Sequence, residues 1–329
     1  MVRQTFRELS TDEVLRKLQA VETHPARQKY FAMYSTWLGG IVREPALMTV
    51  PIDDHMIHRG DGVFEAIKCV NGRIFALDRH LERLLLSAEK LALKLPLSID
   101  EIREILFVTT RAAGGFSRDC LLRLYLSRGP GSFSANPYDT MGSQIYLVVT
   151  ALPEPQRISY LRGVSCATTD ISVKNGEFAT IKSCNYLQNV LMKKEAVDRG
   201  FDFVVSCDEQ GFIAEGSTEN IAIVSADGEL LVPEFSRTLR GVTAVRAMEL
   251  AETKLLKTGH LKAVRLAKFT PADVMRAREV FLLGTTIDCL PVTVFNTQSI
   301  GGSMPGIVAQ SLLQLLHEDM QIGPLAVKL

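Results

Sequence analysis

The cysteines of this 329-residue chain offer no framework for a metal or for disulfides. The six thiols are Cys69, Cys120, Cys166, Cys184, Cys207 and Cys289. They include no Cys-x-x-Cys pair, and no histidine stands at zinc-ligand spacing from any of them. They read as reduced, mostly buried thiols of an intracellular protein, and no metal site is expected. An excess of charge is missing too, because Lys+Arg and Asp+Glu both total 37. No net field therefore draws in nucleic acid or an anionic membrane. Long apolar runs are also absent. Stretches such as 145–152 fall far short of the roughly 20 residues that span a bilayer. Residues 1–30 alternate in charge and hold no apolar core of the signal-peptide kind. Glu8, Asp12 and Glu13 speak against an organelle transit peptide, so a soluble cytoplasmic protein is expected. No internal repeat or low-complexity tract interrupts the chain.

What is present is enough apolar residue, 47% of the chain, for a self-sufficient core. A chain of this length buries about three quarters of its unfolded surface and has room for two domains. Residues 11–20 carry a helical pattern (Val14, Leu15, Leu18) within an N-terminal extension, 1–30. A first α+β unit, 31–152, follows. Its strands 63–70 and 73–77 flank Asn71-Gly72, a strong two-residue hairpin signal. Asp78 is placed to cap the next helix, whose Leu81, Leu84, Leu85, Ala88 and Leu91 fall on one face. Ser98-x-x-Glu101 reads as a capping box for a second helix to about Arg111, and strands 120–127 and 144–151 complete the unit. Leu152-Pro153-Glu154-Pro155 then breaks the pattern, which makes 153–163 the expected linker.

The second unit, 164–329, opens with a strand at 164–168 and a helix at 185–199 closed by Gly200. Strands are expected at 202–207, 212–215, 221–225, 229–232, 279–283 and 291–294. Helices are expected from Thr243 to about Lys257 and over 304–317. The fold class is thus α+β in two domains.

Two segments carry candidate chemistry. Lys182 stands just before the 185–199 helix, where a protonated amine would oppose the helix dipole and a neutral one would suffer less. A buried lysine next to a cationic iminium has the depressed pKa that a nucleophilic amine requires. Some thirty residues later, Glu215 lies in Ala214-Glu215-Gly216-Ser217-Thr218-Glu219-Asn220. Arg240-Gly241-Val242-Thr243-Ala244 opens a helix, so its backbone N–H groups offer an anion site. On strand 120–127, alternation separates Leu122, Leu124 and Leu126 from Leu121, Arg123 and Tyr125. Arg123 is then either an ordinary solvent-face arginine or a carboxylate anchor.

The run Lys182-Ser183-x-Asn185-Tyr186-Leu187, paired with the Glu215 segment, resembles the class IV (fold type IV) aminotransferases over about residues 32–320. That family includes D-amino acid aminotransferases, branched-chain aminotransferases and aminodeoxychorismate lyases. The resemblance implies a two-domain fold type IV α+β enzyme with pyridoxal 5′-phosphate in the interdomain cleft. Lys182 would form the Schiff base and shuttle protons between substrate and cofactor. Glu215 would keep the pyridine nitrogen protonated, while Glu219 would be a solvated or structural carboxylate. Arg83, within His80-Leu81-Glu82-Arg83-Leu84, would hold the phosphate together with Val242 and Thr243. Thr285 and Thr286 would add hydroxyls, and Tyr186 would neighbour the phenolic oxygen. His58-Arg59-Gly60-Asp61-Gly62-Val63-Phe64-Glu65 resembles the small-domain strand that enters the site. Amino acids and 2-oxo acids would be the substrates, and a homodimer the assembly.

Resemblance to plant D-amino acid aminotransferase-like proteins is clearest in Ala32-Met33-Tyr34-Ser35, in Asp53-Asp54-His55-Met56-Ile57-His58-Arg59-Gly60 and in Gly129-Pro130-Gly131-Ser132-Phe133. It favours D-amino acids. The pattern also departs from Bacillus-type enzymes. The loop 129–136 lacks their Arg-x-His, and Phe64 stands where they carry tyrosine. The Tyr-x-Arg of branched-chain enzymes is not matched by Cys120-Leu121-Leu122, which leaves a branched-chain L-aminotransferase as a weaker alternative. A lyase releasing pyruvate and 4-aminobenzoate from aminodeoxychorismate is the stronger alternative. Glu65, near where bacterial lyases tend to carry threonine, leans against it.

Overall fold

The computed structural model describes residues 7–20, 25–153, 156–172, 174 and 176–329. After helix α1 (Thr11–Ala20) come strands β1 (Tyr30–Ser35) and β2 (Gly40–Val42), then the one-turn helix α2 (His55–Arg59). Strands β3 (Gly62–Val70) and β4 (Arg73–Phe75) form the hairpin, with Asn71 and Gly72 at φ 49° and 69°, the double positive φ of a tight primed turn. Helices α3 (Leu77–Lys90) and α4 (Ile99–Ala112) and strands β5 (Cys120–Ser127) and β6 (Gln144–Ala151) follow. The Ser98–Glu101 capping box is present at α4. Asp78 is not the cap of α3, because Ala76 occupies that position at φ 53°. Asp78 lies in the first turn instead, where its charge suits the dipole, and it pairs with Arg103 at 2.6 Å.

The expected linker contains helix α5 (Arg157–Arg162), while Glu154 and Pro155 of the proline break lie outside the described residues. The chain then runs through β7 (Val164–Thr169), α6 (Leu187–Asp198), β8 (Phe203–Cys207), β9 (Ile213–Gly216), β10 (Asn220–Val224) and β11 (Glu229–Pro233). Next are α7 (Val242–Leu250), β12 (Ala263–Ala267), α8 (Pro271–Arg276), β13 (Glu279–Gly284) and β14 (Asp288–Phe295). The short β15 (Gln298–Ser299), α9 (Ile307–Ile322) and β16 (Ala326–Lys328) close it. The helix after Gly241 widens into a π turn over Ala251–Leu255 and tightens over Leu256–Thr258 before Gly259. The last helix starts and ends later than its sequence pattern suggests.

Two sheets organise these elements. The first has seven strands in the order β16-β4-β3-β5-β6-β1-β2. Helices α3 and α4 cover one face through a core containing Ile67, Leu81, Leu84, Leu106, Leu122 and Leu124. Its other face is left for the second sheet, of nine strands with β13 and β14 at its centre. That sheet is buried on both sides, and so residues 280–283 of β13 read as an unbroken apolar run rather than an alternating one. Phe281 and Leu283 meet α7 and α9, while Val280 and Leu282 pack opposite, where Val274 of α8 lies. Strand β16 carries the C-terminal residues back to the first sheet. Among the described residues no helix is long and apolar enough to cross a membrane.

Candidate active site

A cavity of about 500 Å³ opens between the two sheets. Strand alternation supplies one wall. In register, β3 and β5 pair Phe64 with Tyr125, Ala66 with Arg123 and Lys68 with Leu121. The first two pairs and Leu121 line the cavity, while Leu122, Leu124 and Leu126 turn into the core. Arg123 is therefore a cavity residue, not a solvent-face one. It shares its face of β5 with Tyr125 and has no acidic partner among the described residues.

Lys182 enters at the junction of the sheets. Its carbonyl accepts from Phe64 N–H at 2.9 Å, and Cys184 N–H donates to Gly62 at 2.8 Å. Ser183 thereby bridges to Val63 across the gap. Lys182 Nζ lies 4.6 Å from the centre of the Phe64 ring and 3.5 Å from the Tyr186 hydroxyl. Because α6 begins only at Leu187, the helix dipole is not what acts on Lys182. Burial and the nearby Arg83 charge lower its amine to about 8. The neighbouring Tyr186 hydroxyl is pushed upward, first by burial and then by Glu215.

Arg83 reaches the cavity from α3 and is fixed by a carboxylate that sequence reasoning assigned elsewhere. Glu65 is fully buried. It accepts from Arg83 Nε at 2.8 Å, from Arg83 Nη2 at 2.6 Å and from His80 Nδ1 at 2.7 Å. Burial alone would raise its pKa, but the Arg83 charge and these bonds hold it at about 2. Glu65 faces α3 rather than the cavity, and there it holds Arg83. Arg83 Nη1 donates to the Arg240 carbonyl at 3.1 Å, which ties it to the approach to α7.

That helix opens with Gly241 as its N-cap and no side-chain cap, so its first N–H groups remain available. A Cβ on Gly241 would meet Asn220 Oδ1 at 1.9 Å, so only glycine allows this approach. Val242 and Thr243 line the cavity there, and Thr285 and Thr286 line it from the β13–β14 turn. Arg83, an uncapped helix end and three hydroxyls thus converge in a manner suited to a phosphate.

Glu215 occupies a recess that shares Lys182, Tyr186, Thr218, Asn220 and Leu239 with the main cavity. One oxygen accepts from Leu239 N–H at 3.0 Å, and Asn220 Nδ2 donates to the Leu239 carbonyl at 2.9 Å. Burial raises Glu215 to about 7, so an adjacent cation would draw it into its charged form. Glu219 is buried, not solvated: Thr218 N–H and both the Thr218 and Ser217 hydroxyls donate to it. Lys174 is a second amine close by, 3.0 Å from Ser183 Oγ, with its pKa lowered by burial. Lys182, Arg83, Tyr186, Glu215, Val242, Thr243, Thr285, Thr286, Phe64 and Arg123 therefore all border this cavity or its recess, whereas Glu65 does not. Tyr125 and Asn220 were missed as site residues, although the alternation of β5 already placed Tyr125 beside Arg123.

Comparison with known proteins gives a consistent outcome. The Amino-transferase class IV family model matches residues 62–295. A chloroplastic D-amino-acid transaminase of Arabidopsis thaliana is 40% identical over 302 residues, covering 92% of this chain and 79% of that protein. A D-alanine aminotransferase of Bacillus licheniformis is 28% identical over 286 residues, covering 85% and 95%. Among solved structures, a branched-chain amino acid aminotransferase from T.th. with pyridoxamine 5′-phosphate superposes with a TM-score of 0.79. It is 26% identical, with 88% of this chain and 94% of that one covered.

Proposed function

The chain belongs to the class IV aminotransferases, and from that premise we propose that it transfers the amino group of a D-amino acid to a 2-oxo acid. The cofactor is pyridoxal 5′-phosphate. The observation that carries the site assignment is the convergence of Lys182, Arg83 and the α7 N-terminus on one cavity, with Glu215 in its recess. The D-amino acid preference rests on similarity to the Arabidopsis and Bacillus enzymes.

The bound cofactor supplies a delocalised electron sink for bond breaking at the substrate α-carbon. Arg83, Val242, Thr243, Thr285 and Thr286 would hold its phosphate. Glu215 would face the ring nitrogen as its counter-charge. Tyr186 would neighbour the phenolic oxygen. Lys182, whose amine burial lowers to about 8, would be the residue that holds the cofactor and would carry the α-proton. Phe64 covers the Lys182 amine with an apolar ring and limits water there. Arg123 anchors the substrate carboxylate, a role supported by its lack of an acidic partner among the described residues and its place on the cavity wall. A homodimer and a cytoplasmic location complete the proposal. The Arabidopsis relative is described as chloroplastic, so cell fractionation is the test of compartment.

The deciding assay offers D-alanine, L-leucine and aminodeoxychorismate separately, the first two with a 2-oxo acid. Pyruvate from D-alanine in preference to product from L-leucine supports the proposal. Release of 4-aminobenzoate without amino transfer from either amino acid would replace it with the lyase reading.

A further inference from the structure

The turn bearing Thr285 and Thr286 has open space on both sides. In front is the 500 Å³ cavity. Behind it is a second cavity of about 380 Å³, and Thr286 lines both. Ile287 is the turn's one apolar side chain packed into the core, and its other supports are a few polar ties.

Those ties come from three elements. Asp288, which ends the turn, is buried and sits at φ 51°, a conformation that costs a non-glycine residue energy and needs outside support. Lys68 Nζ, itself buried on β3, donates to Asp288 Oδ1 at 2.5 Å. His317 on α9 approaches Asp288 Oδ2 at 3.2 Å. The Tyr160 hydroxyl donates to the Ile287 carbonyl at 3.0 Å. Lys68 lies on the same face of β3 as Phe64, the residue beside the Lys182 amine. One strand of the first sheet thus reaches both Lys182 and the turn of the second sheet.

We propose that Lys68, Asp288 and His317 form a brace between the two sheets that positions Thr285 and Thr286 for phosphate binding. These are positioning residues, and the inference rests on the assignment of Thr285 and Thr286 to the cofactor phosphate. A buried aspartate that loses its lysine keeps an uncompensated charge, and the turn relaxes into the space behind it.

The test uses holoenzyme of the wild type and of Lys68→Met, Lys68→Arg, His317→Ala, Thr286→Val and Lys68→Met/Thr286→Val. Each is diluted with graded free pyridoxal phosphate, and half-occupancy is read from cofactor absorbance. Lys68→Met should need roughly tenfold more cofactor, Lys68→Arg should stay within about threefold of wild type, and half-exposed His317→Ala should lose about threefold. The double variant should be little weaker than the worse single one, because both changes remove the same contact. Full additivity overturns the brace, since independent damage adds. Wild-type affinity in His317→Ala together with Lys68→Met overturns it as well. Should Lys68→Met fail to fold, wild-type affinity in His317→Ala alone is sufficient to overturn it. A Thr286→Val enzyme that binds as wild type instead sinks the phosphate assignment beneath it.

Discussion

Replacing Glu215 with glutamine isolates charge from shape. The side chain keeps its size, and the amide oxygen can still accept from Leu239 N–H, which lies 3.0 Å from the carboxylate. What the amide cannot do is accept a hydrogen bond from a protonated ring nitrogen through a charged oxygen. A charge-assisted bond is worth roughly 1.5–3 kcal/mol, and here it also sustains the ring's electron withdrawal. Burial already pushes Glu215 up to about 7, so the site is dry enough for a missing counter-charge to be felt. The expected loss in kcat is on the order of 100-fold, about 2.7 kcal/mol on the barrier. Pyruvate formation from D-alanine is followed by a coupled assay, with occupancy checked by cofactor absorbance in the same sample. Turnover within about threefold of wild type at full occupancy would refute the role of Glu215.

Other substitutions follow from the same geometry. Glu65→Gln breaks a buried bidentate pair, so urea unfolding should show a loss of about 3 kcal/mol, and cofactor affinity should fall about tenfold. Glu65 is held at about 2 when folded against an ordinary 4.5, so the stability it contributes is present above 4.5 and lost as pH falls toward 2. The variant should lack that acid sensitivity. Lys182→Met should stabilise the apoprotein at pH 7. Lowering the amine from 10.5 to about 8 corresponds to roughly 3 kcal/mol of buried-cation cost below pH 8. That cost is relieved as pH rises from 8 to 10.5, so the gain should vanish over the same range in denaturant titrations. Arg123→Ala should raise KM for the amino acid about tenfold with a smaller change in kcat, and steady-state kinetics read both.

Local chemistry made much of the fold legible. Asn71-Gly72 admits few turns other than a tight hairpin, and Ser98 with Glu101 satisfies two helix N–H groups within a single turn. The alternation of Leu122, Leu124 and Leu126 against Leu121, Arg123 and Tyr125 divided the two faces of β5 as the structure has them, but did not show that the second face borders a cavity and not solvent. Features set by tertiary contact were not legible. Glu65 was read only as leaning against the lyase, because nothing in its own segment shows that it points at Arg83. Lys68 and Asp288 meet across 220 residues, and no local pattern links them. Strand β12 and the C-terminal β16 are short, half-exposed edges with little apolar periodicity to announce them. The burial expected of Lys182 is present, but the helix dipole expected beside it is not, because α6 starts only at Leu187 and a bridge to β3 holds the segment instead.

The claim that amino transfer is the reaction here has a direct measurement. Holoenzyme is mixed with excess D-alanine and no 2-oxo acid, and both pyruvate and the cofactor spectrum are followed. Transfer leaves the amino group on the cofactor, so one pyruvate per site should appear while the cofactor converts to its amine form and stays there. Adding a 2-oxo acid should restore the starting spectrum. No conversion with any D- or L-amino acid, alongside steady 4-aminobenzoate release from aminodeoxychorismate, would contradict the account.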